Sequence, residues 1–189
     1  LVAGLTDSWG AGSKDIYLIK TNEYGDTTWT NHYGGYNWDD AVAVIEGTDN
    51  NYYLTGGLSS FGNGATDVFL MKVNSDGDSL WLKTYGGIED DDGSDLLQCN
   101  DGGFMVVGET MSFASGFSAM YAIRTDANGD TLWTKAYEKE WGNGAYSVIQ
   151  TSENGFMIAG STGPDAPSTF DCYVVRTNSM GDTLWTKSY

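Results

Sequence analysis

Histidine, cysteine and positive charge are all scarce in this chain, and each scarcity bears on what it can do. One histidine, His32, occurs in 189 residues. No Ser-His-Asp triad, Cys-His pair or multi-histidine metal centre can be built around it with any warrant. The two cysteines, Cys99 and Cys172, fall at different phases of the repeat described below, so no disulfide is expected and the redox compartment stays open. Nine basic residues stand against 26 acidic ones, a net charge of −17. That balance repels phosphate backbones and anionic lipid, so neither nucleic acid nor the membrane surface is an expected partner. No apolar run approaches the ~18 residues needed to cross a bilayer as a helix, so membrane insertion is not expected. The chain shows no initiator Met and no signal peptide, and it begins in mid-repeat; it is expected to be a processed product or an excerpt.

Glycine and aromatic residues are plentiful: 26 Gly, 12 Tyr and 7 Trp. This is the turn-rich, aromatic-rich composition of an all-β chain. One phrase organises it. Gly25-Asp26 precedes Trp29, Gly77-Asp78 precedes Trp81, Gly129-Asp130 precedes Trp133 and Gly181-Asp182 precedes Trp185, each tryptophan 52 residues after the last. A fixed period of this size means a repeat architecture. Each repeat reads as four strands. In the last, strand a is Ala145–Gln150, strand b Phe156–Gly160, strand c Asp171–Arg176 and strand d Thr183–Tyr189, with Asn154-Gly155 as an a–b hairpin turn. Gly25, Gly77, Gly129 and Gly181 read as the positive-φ residue of the c–d turn, in preference to a calcium loop, whose further oxygen ligands are missing. Strands b and c are apolar on both faces, so both faces of each sheet must be covered. Strand d alternates, with Trp133, Lys135 and Tyr137 on one side.

Four antiparallel strands per repeat with both faces covered describe a blade of a β-propeller; a β-solenoid has shorter coils, roughly 20–30 residues. The expected fold class is an all-β propeller sector. It forms a single repeat domain over 1–189, with a partial blade b-c-d at 1–35 and full blades at 36–87, 88–139 and 140–189. About fifteen strands and no long helix are expected. The first repeat has no strand a; a following segment or a neighbouring molecule is expected to supply it.

Ser147-Val148, the polar turn at Gly155, a small-residue strand b and an Asp before strand c resemble WD40 blade grammar, although the Trp here stands on strand d and the Gly-His and Trp-Asp signatures are absent. Thr131-Leu132-Trp133-Thr134-Lys135, Gly86-Gly87 and Asn154-Gly155-Phe156 more closely resemble the Gly-Asp-Thr-Leu-Trp-type propeller-like repeats of Bacteroidota and related bacteria. That resemblance covers essentially the whole chain. It implies an extracellular or cell-surface location, many such proteins being type IX secretion cargo, and brings no agreed activity with it.

The recurring Trp and Tyr of strand d read as blade-to-blade packing. Asp15, Asp67 and Asp171, at one phase before strand c with Ala119 as the exception, read as Asx-type anchors of backbone N–H groups, with no metal implied. The candidate ligand-binding residues are Trp9, Phe61 and Phe113 in the b–c loops and Trp38, Asp39, Asp40 and Trp141 in the d–a loops. In a propeller these loops share one face. Aromatic rings beside carboxylates suit sugar or peptide recognition. The opposite face carries turns read as too short and polar for a concave site. The expected function is therefore a non-catalytic binding or scaffold module without cofactor, its partner a protein or a neutral glycan, or further copies of itself. Two alternatives remain: a glycan-active enzyme using paired carboxylates among Asp39, Asp40, Glu89, Asp90, Asp91 and Asp92, and a structural repeat of a surface filament or adhesin.

Overall fold

The computed structural model describes residues 1–139, 142–163 and 170–189. It is all-β, with fifteen strands in four antiparallel sheets. Sheet I holds β1 (Val2–Thr6), β2 (Asp15–Thr21) and β3 (Thr27–Tyr33). Sheet II holds β4 (Asp39–Glu46), β5 (Tyr52–Leu58), β6 (Asp67–Val73) and β7 (Ser79–Tyr85). Sheet III holds β8 (Asp91–Gln98), β9 (Phe104–Thr110), β10 (Ala119–Thr125) and β11 (Thr131–Tyr137). Sheet IV holds β12 (Gly142–Gln150), β13 (Phe156–Gly163), β14 (Asp171–Thr177) and β15 (Thr183–Ser188). Each sheet is a meander in which sequence neighbours pair antiparallel, through tight turns or, between β1 and β2, β5 and β6, and β9 and β10, through long loops.

The first strands of sheets II, III and IV begin earlier than their apolar cores suggested. β4, β8 and β12 each start on the polar residues of the preceding loop and absorb the extra length in a bulge, at Ala41/Ala43, Gly93/Asp95 and Ala145/Ser147. Asp39, Asp40, Asp91 and Asp92, expected in loops, therefore lie on strands. The bulge re-aims the strand, so the residues before and after it can serve different surroundings.

Successive sheets pack face to face, and the core lies in the three layers between them. Between sheets II and III, Tyr53, Val68, Leu70 and Tyr85 meet Leu96, Phe104, Val106, Tyr121 and Ile123, all buried. Each layer is locked at its rim by the repeated phrase. Trp29, Trp81 and Trp133 lean on the turn glycine of the next sheet: a Cβ added to Gly77, Gly129 or Gly181 would stand 3.2, 3.1 or 2.8 Å from the ring. The hydroxyls of Tyr33, Tyr85 and Tyr137 donate to the carbonyl oxygens of those same glycines at 2.6, 2.7 and 2.7 Å. Burial holds all three phenols well above their ordinary pKa, Tyr33 at about 12. Lys83 pairs with Asp130 at 2.9 Å and Lys135 with Asp182 at 3.2 Å.

The glycines meet both demands at once. Their φ angles are +86°, +90°, +79° and +78° from Gly25 to Gly181, the left-handed region expected from the sequence. The side chain of Asn22, Asn74, Asp126 or Asn178 holds the turn by accepting two backbone N–H groups. Among the described residues no strand pairing joins sheet I to sheet IV, so no ring closes.

Candidate functional site

The edges β4, β8 and β12 lie against one another in succession, which brings their first residues together on the side of the long loops. Here the structure forms an open cleft of about 430 Å³, lined by Trp38, Asp40, Ser59, Thr66, Asp90 and Asp92. Asp40 and Asp92 occupy one phase of the repeat in neighbouring sheets and flank Gly57: a Cβ added there would stand 2.3 Å from Oδ1 of Asp92 and 3.3 Å from Oδ1 of Asp40. The protein crowded around Asp92 raises its pKa first, and the charges of Asp40, Asp90, Glu109 and Asp91 raise it further, to about 6. Asp40 is raised for the same reasons, burial first and Asp39 second. Trp38 is 48% exposed beside them, with the Lys14 ammonium 3.8 Å from its ring centroid.

The other expected residues have different roles. Asp39 is fully buried. Its Oδ2 accepts the N–H of Gly35 at 2.8 Å, and its Oδ1 accepts those of Ser59 and Ser60 at 3.0 and 2.9 Å. It ties the loop entering its strand to the next long loop and is buried, away from any ligand in the cleft. Asp91 repeats this role with Gly87 and Ser112, and Asn143 continues it with Lys139. Phe61 and Phe113 lean toward Gly35 and Gly87, where an added Cβ would meet their ring tips at 3.4 and 3.6 Å. They brace loops, although each stays about half exposed (52% and 48%). Trp9 is exposed in the first long loop and does not line the cleft. Trp141 lies outside the described residues. His32 is exposed on β3, and Cys99 and Cys172 are free, one buried and one exposed.

Asp15 and Asp67 are buried as the first residues of their strands. Asp67 accepts the N–H of Asn63 at 2.7 Å, an anchor to the loop before it. Among the described residues no group of three or more His, Cys, Asp and Glu is arranged to hold a metal ion.

The turn side departs from expectation. A groove of about 710 Å³ runs there between sheets III and IV, over Leu132, Trp133, Phe156 and Met180, with Asn100 and Arg124 at its polar rim. The turns are short, as read, but Leu132 and Met180 stand exposed on either side of the half-buried Trp133, with the buried Phe156 below, and the joint between them is concave. Arg124 is already engaged with Asp101, and Arg176 at the same phase with Glu153, so these arginines brace the a–b turns. Nothing local in the sequence marks this groove, because it belongs to the junction of two repeats.

Comparison with protein-family models and with curated proteins returns no match.

Proposed function

We propose that the chain is a sector of a β-propeller acting as a non-catalytic, extracellular or cell-surface binding and scaffold module, and that it takes a neutral glycan or a protein segment in the loop-side cleft. The observation that carries this reading is the joining of a half-exposed Trp38 to the carboxylates of Asp40, Asp90 and Asp92 in one open cleft. The tryptophan offers apolar area to the C–H face of a sugar or to a peptide side chain, and the carboxylates accept hydroxyl or amide hydrogens. Their charge disfavours anionic glycans. The propeller reading is supported by the face-to-face stacking of four-stranded meanders with their first strands converging. The surface location rests on the resemblance of the repeats.

A neutral-glycan array and isothermal titration with the Trp38→Ala and Asp92→Asn variants test the reading. Each substitution is expected to weaken binding about tenfold or more. Binding that survives both and disappears with Met180→Asp would move the ligand to the turn-side groove. The enzyme reading keeps one specific support: two facing carboxylates, one held up to about 6, resemble an acid and its partner. Hydrolysis of a bound glycan, abolished in Asp92→Asn while binding persists, would favour it.

A further inference from the structure

The joint between sheets II and III and the joint between sheets III and IV share one plan and differ in the side chain that fills them. Tyr53 of β5 lies in the first, 2% exposed. Its ring centroid is 4.2 Å from that of Phe104 and 6.0 Å from that of Trp81. Its hydroxyl donates to Oδ2 of Asp49 at 2.9 Å, and Lys72 pairs with the same carboxylate at 2.8 Å. One repeat of 52 residues later, these four neighbours are Phe156, Trp133, Asp101 and Arg124, and all four line the turn-side groove. Arg124 pairs with Asp101 as Lys72 does with Asp49. Tyr53 itself becomes Met105, which has neither ring nor hydroxyl and is wholly buried in the core. The place that an aromatic side chain fills in one joint is an open groove in the next.

We propose that this groove binds the side chain of a tyrosine from a partner polypeptide, its ring against Trp133 and its hydroxyl donating to the Asp101 carboxylate, as Tyr53 does to Asp49 within the molecule. The Asp101 side chain is 64% exposed beside Arg124, so its carboxylate has room for a second donor. The exposed Leu132 and Met180 supply apolar walls, and a methionine thioether is a favourable neighbour for an aromatic ring. Cys99 stands at the phase of Gly47, where an added Cβ would lie 2.5 Å from the Tyr53 ring. The incoming ring therefore rests further out than Tyr53 does, toward those two walls. A polypeptide fits better than a free phenol, because about 710 Å³ is several times the space of one ring. Gln150 and Asn154 accept from Asn100 at 2.9 and 3.3 Å, which leaves their amide N–H groups for the carbonyls of a chain lying in the groove. Both sheets that form the groove are in place. The matching turn of sheet III, which does have a sheet after it, keeps Ala127 and Asn128 exposed, so a further sheet would not close this mouth. The inference does not depend on the loop-side cleft.

NMR of the chain carrying ¹³C in its six methionine methyls tests it, with three end-blocked pentapeptides as probes: tyrosine, phenylalanine or leucine at the centre of four glycines. The tyrosine peptide is expected to shift the Met180 methyl saturably, half-way at about 1 mM. The phenylalanine peptide, lacking the hydroxyl, should bind about fivefold more weakly, and the leucine peptide and p-cresol about tenfold or more. Leu132→Asp, at an exposed position, should weaken the tyrosine peptide about tenfold or more, whereas Trp38→Ala should leave it unchanged. The double variant Cys99→Gly, Met105→Tyr rebuilds the Gly47 and Tyr53 pair, places the chain's own ring in the groove and should abolish binding. Circular dichroism checks folding, and Leu132→Asp decides alone where the double variant does not fold. No saturable shift up to about 10 mM tyrosine peptide overturns the inference. So does a leucine peptide or p-cresol that binds as tightly as the tyrosine peptide, or binding that is lost with Trp38→Ala.

Discussion

Asp91 shows what a buried carboxylate does here. It is fully enclosed and accepts from the Gly87 N–H and from both the N–H and the hydroxyl of Ser112. Asp91→Ala would leave those donors unpaired, and a loss of about 2–3 kcal/mol is expected in urea unfolding. Asp91→Asn should cost clearly less, because Asn143 fills the same phase with an amide and still accepts the Lys139 N–H. Asp92, one residue on, titrates in the opposite sense to a paired carboxylate. With its folded pKa raised to about 6, it favours the folded state fully below the ordinary carboxylate range, and this contribution is lost as pH rises from about 4 through about 6. The melting temperature should therefore fall over that interval, and Asp92→Asn should flatten the slope. Asp101 works the other way: Arg124 beside it holds its carboxyl low, so its contribution is lost as pH falls below the ordinary range. Of these residues the sequence showed the type and the phase but not the direction of the side chain. Asp39 and Asp40 are adjacent, and strand alternation sends one inward to backbone donors and the other to the cleft.

The c–d turn is the element in which local and tertiary demands coincide. Gly25 and Gly129 have nearly the same φ, so Gly25→Ala and Gly129→Ala carry a similar backbone cost of about 1 kcal/mol. Only Gly129 lies under a tryptophan, with Trp81 and Lys83 atoms 3.1 Å from the added methyl. Gly129→Ala is expected to destabilise the fold by about 1–3 kcal/mol more than Gly25→Ala, measured by urea unfolding. The left-handed glycine was legible in the sequence, because a Gly-Asp pair between two strands has one economical conformation. Its second role was not, since the tryptophan that crowds it belongs to the previous repeat and lies across a sheet-to-sheet layer. The early start of β4, β8 and β12 was hidden for a related reason: polar residues ahead of an apolar run read as loop until a bulge is known to follow.

At the scale of the whole molecule, four sheets in a row make a quasi-one-dimensional stack, each supported chiefly by its neighbours. The 52-residue period made the all-β repeat and its strand count legible. The first repeat's missing strand a made an unclosed sector the expectation as well, but the cleft stayed unread, because it depends on how one repeat sits against the next. The central claim is that the Trp-Lys-Tyr edge of one sheet and the Gly-Asp turn of the next form the joint that holds the stack. Native-state hydrogen exchange of a Trp133→Ala variant tests it most directly, since Trp133 packs on Gly181 and edge-on to Phe156 at the joint between sheets III and IV. A loss of about 3–5 kcal/mol of protection is expected in the amides of sheet IV, smaller in sheet III, with sheets I and II nearly unchanged. An equal loss across all four sheets, or no loss in sheet IV, would contradict the claim.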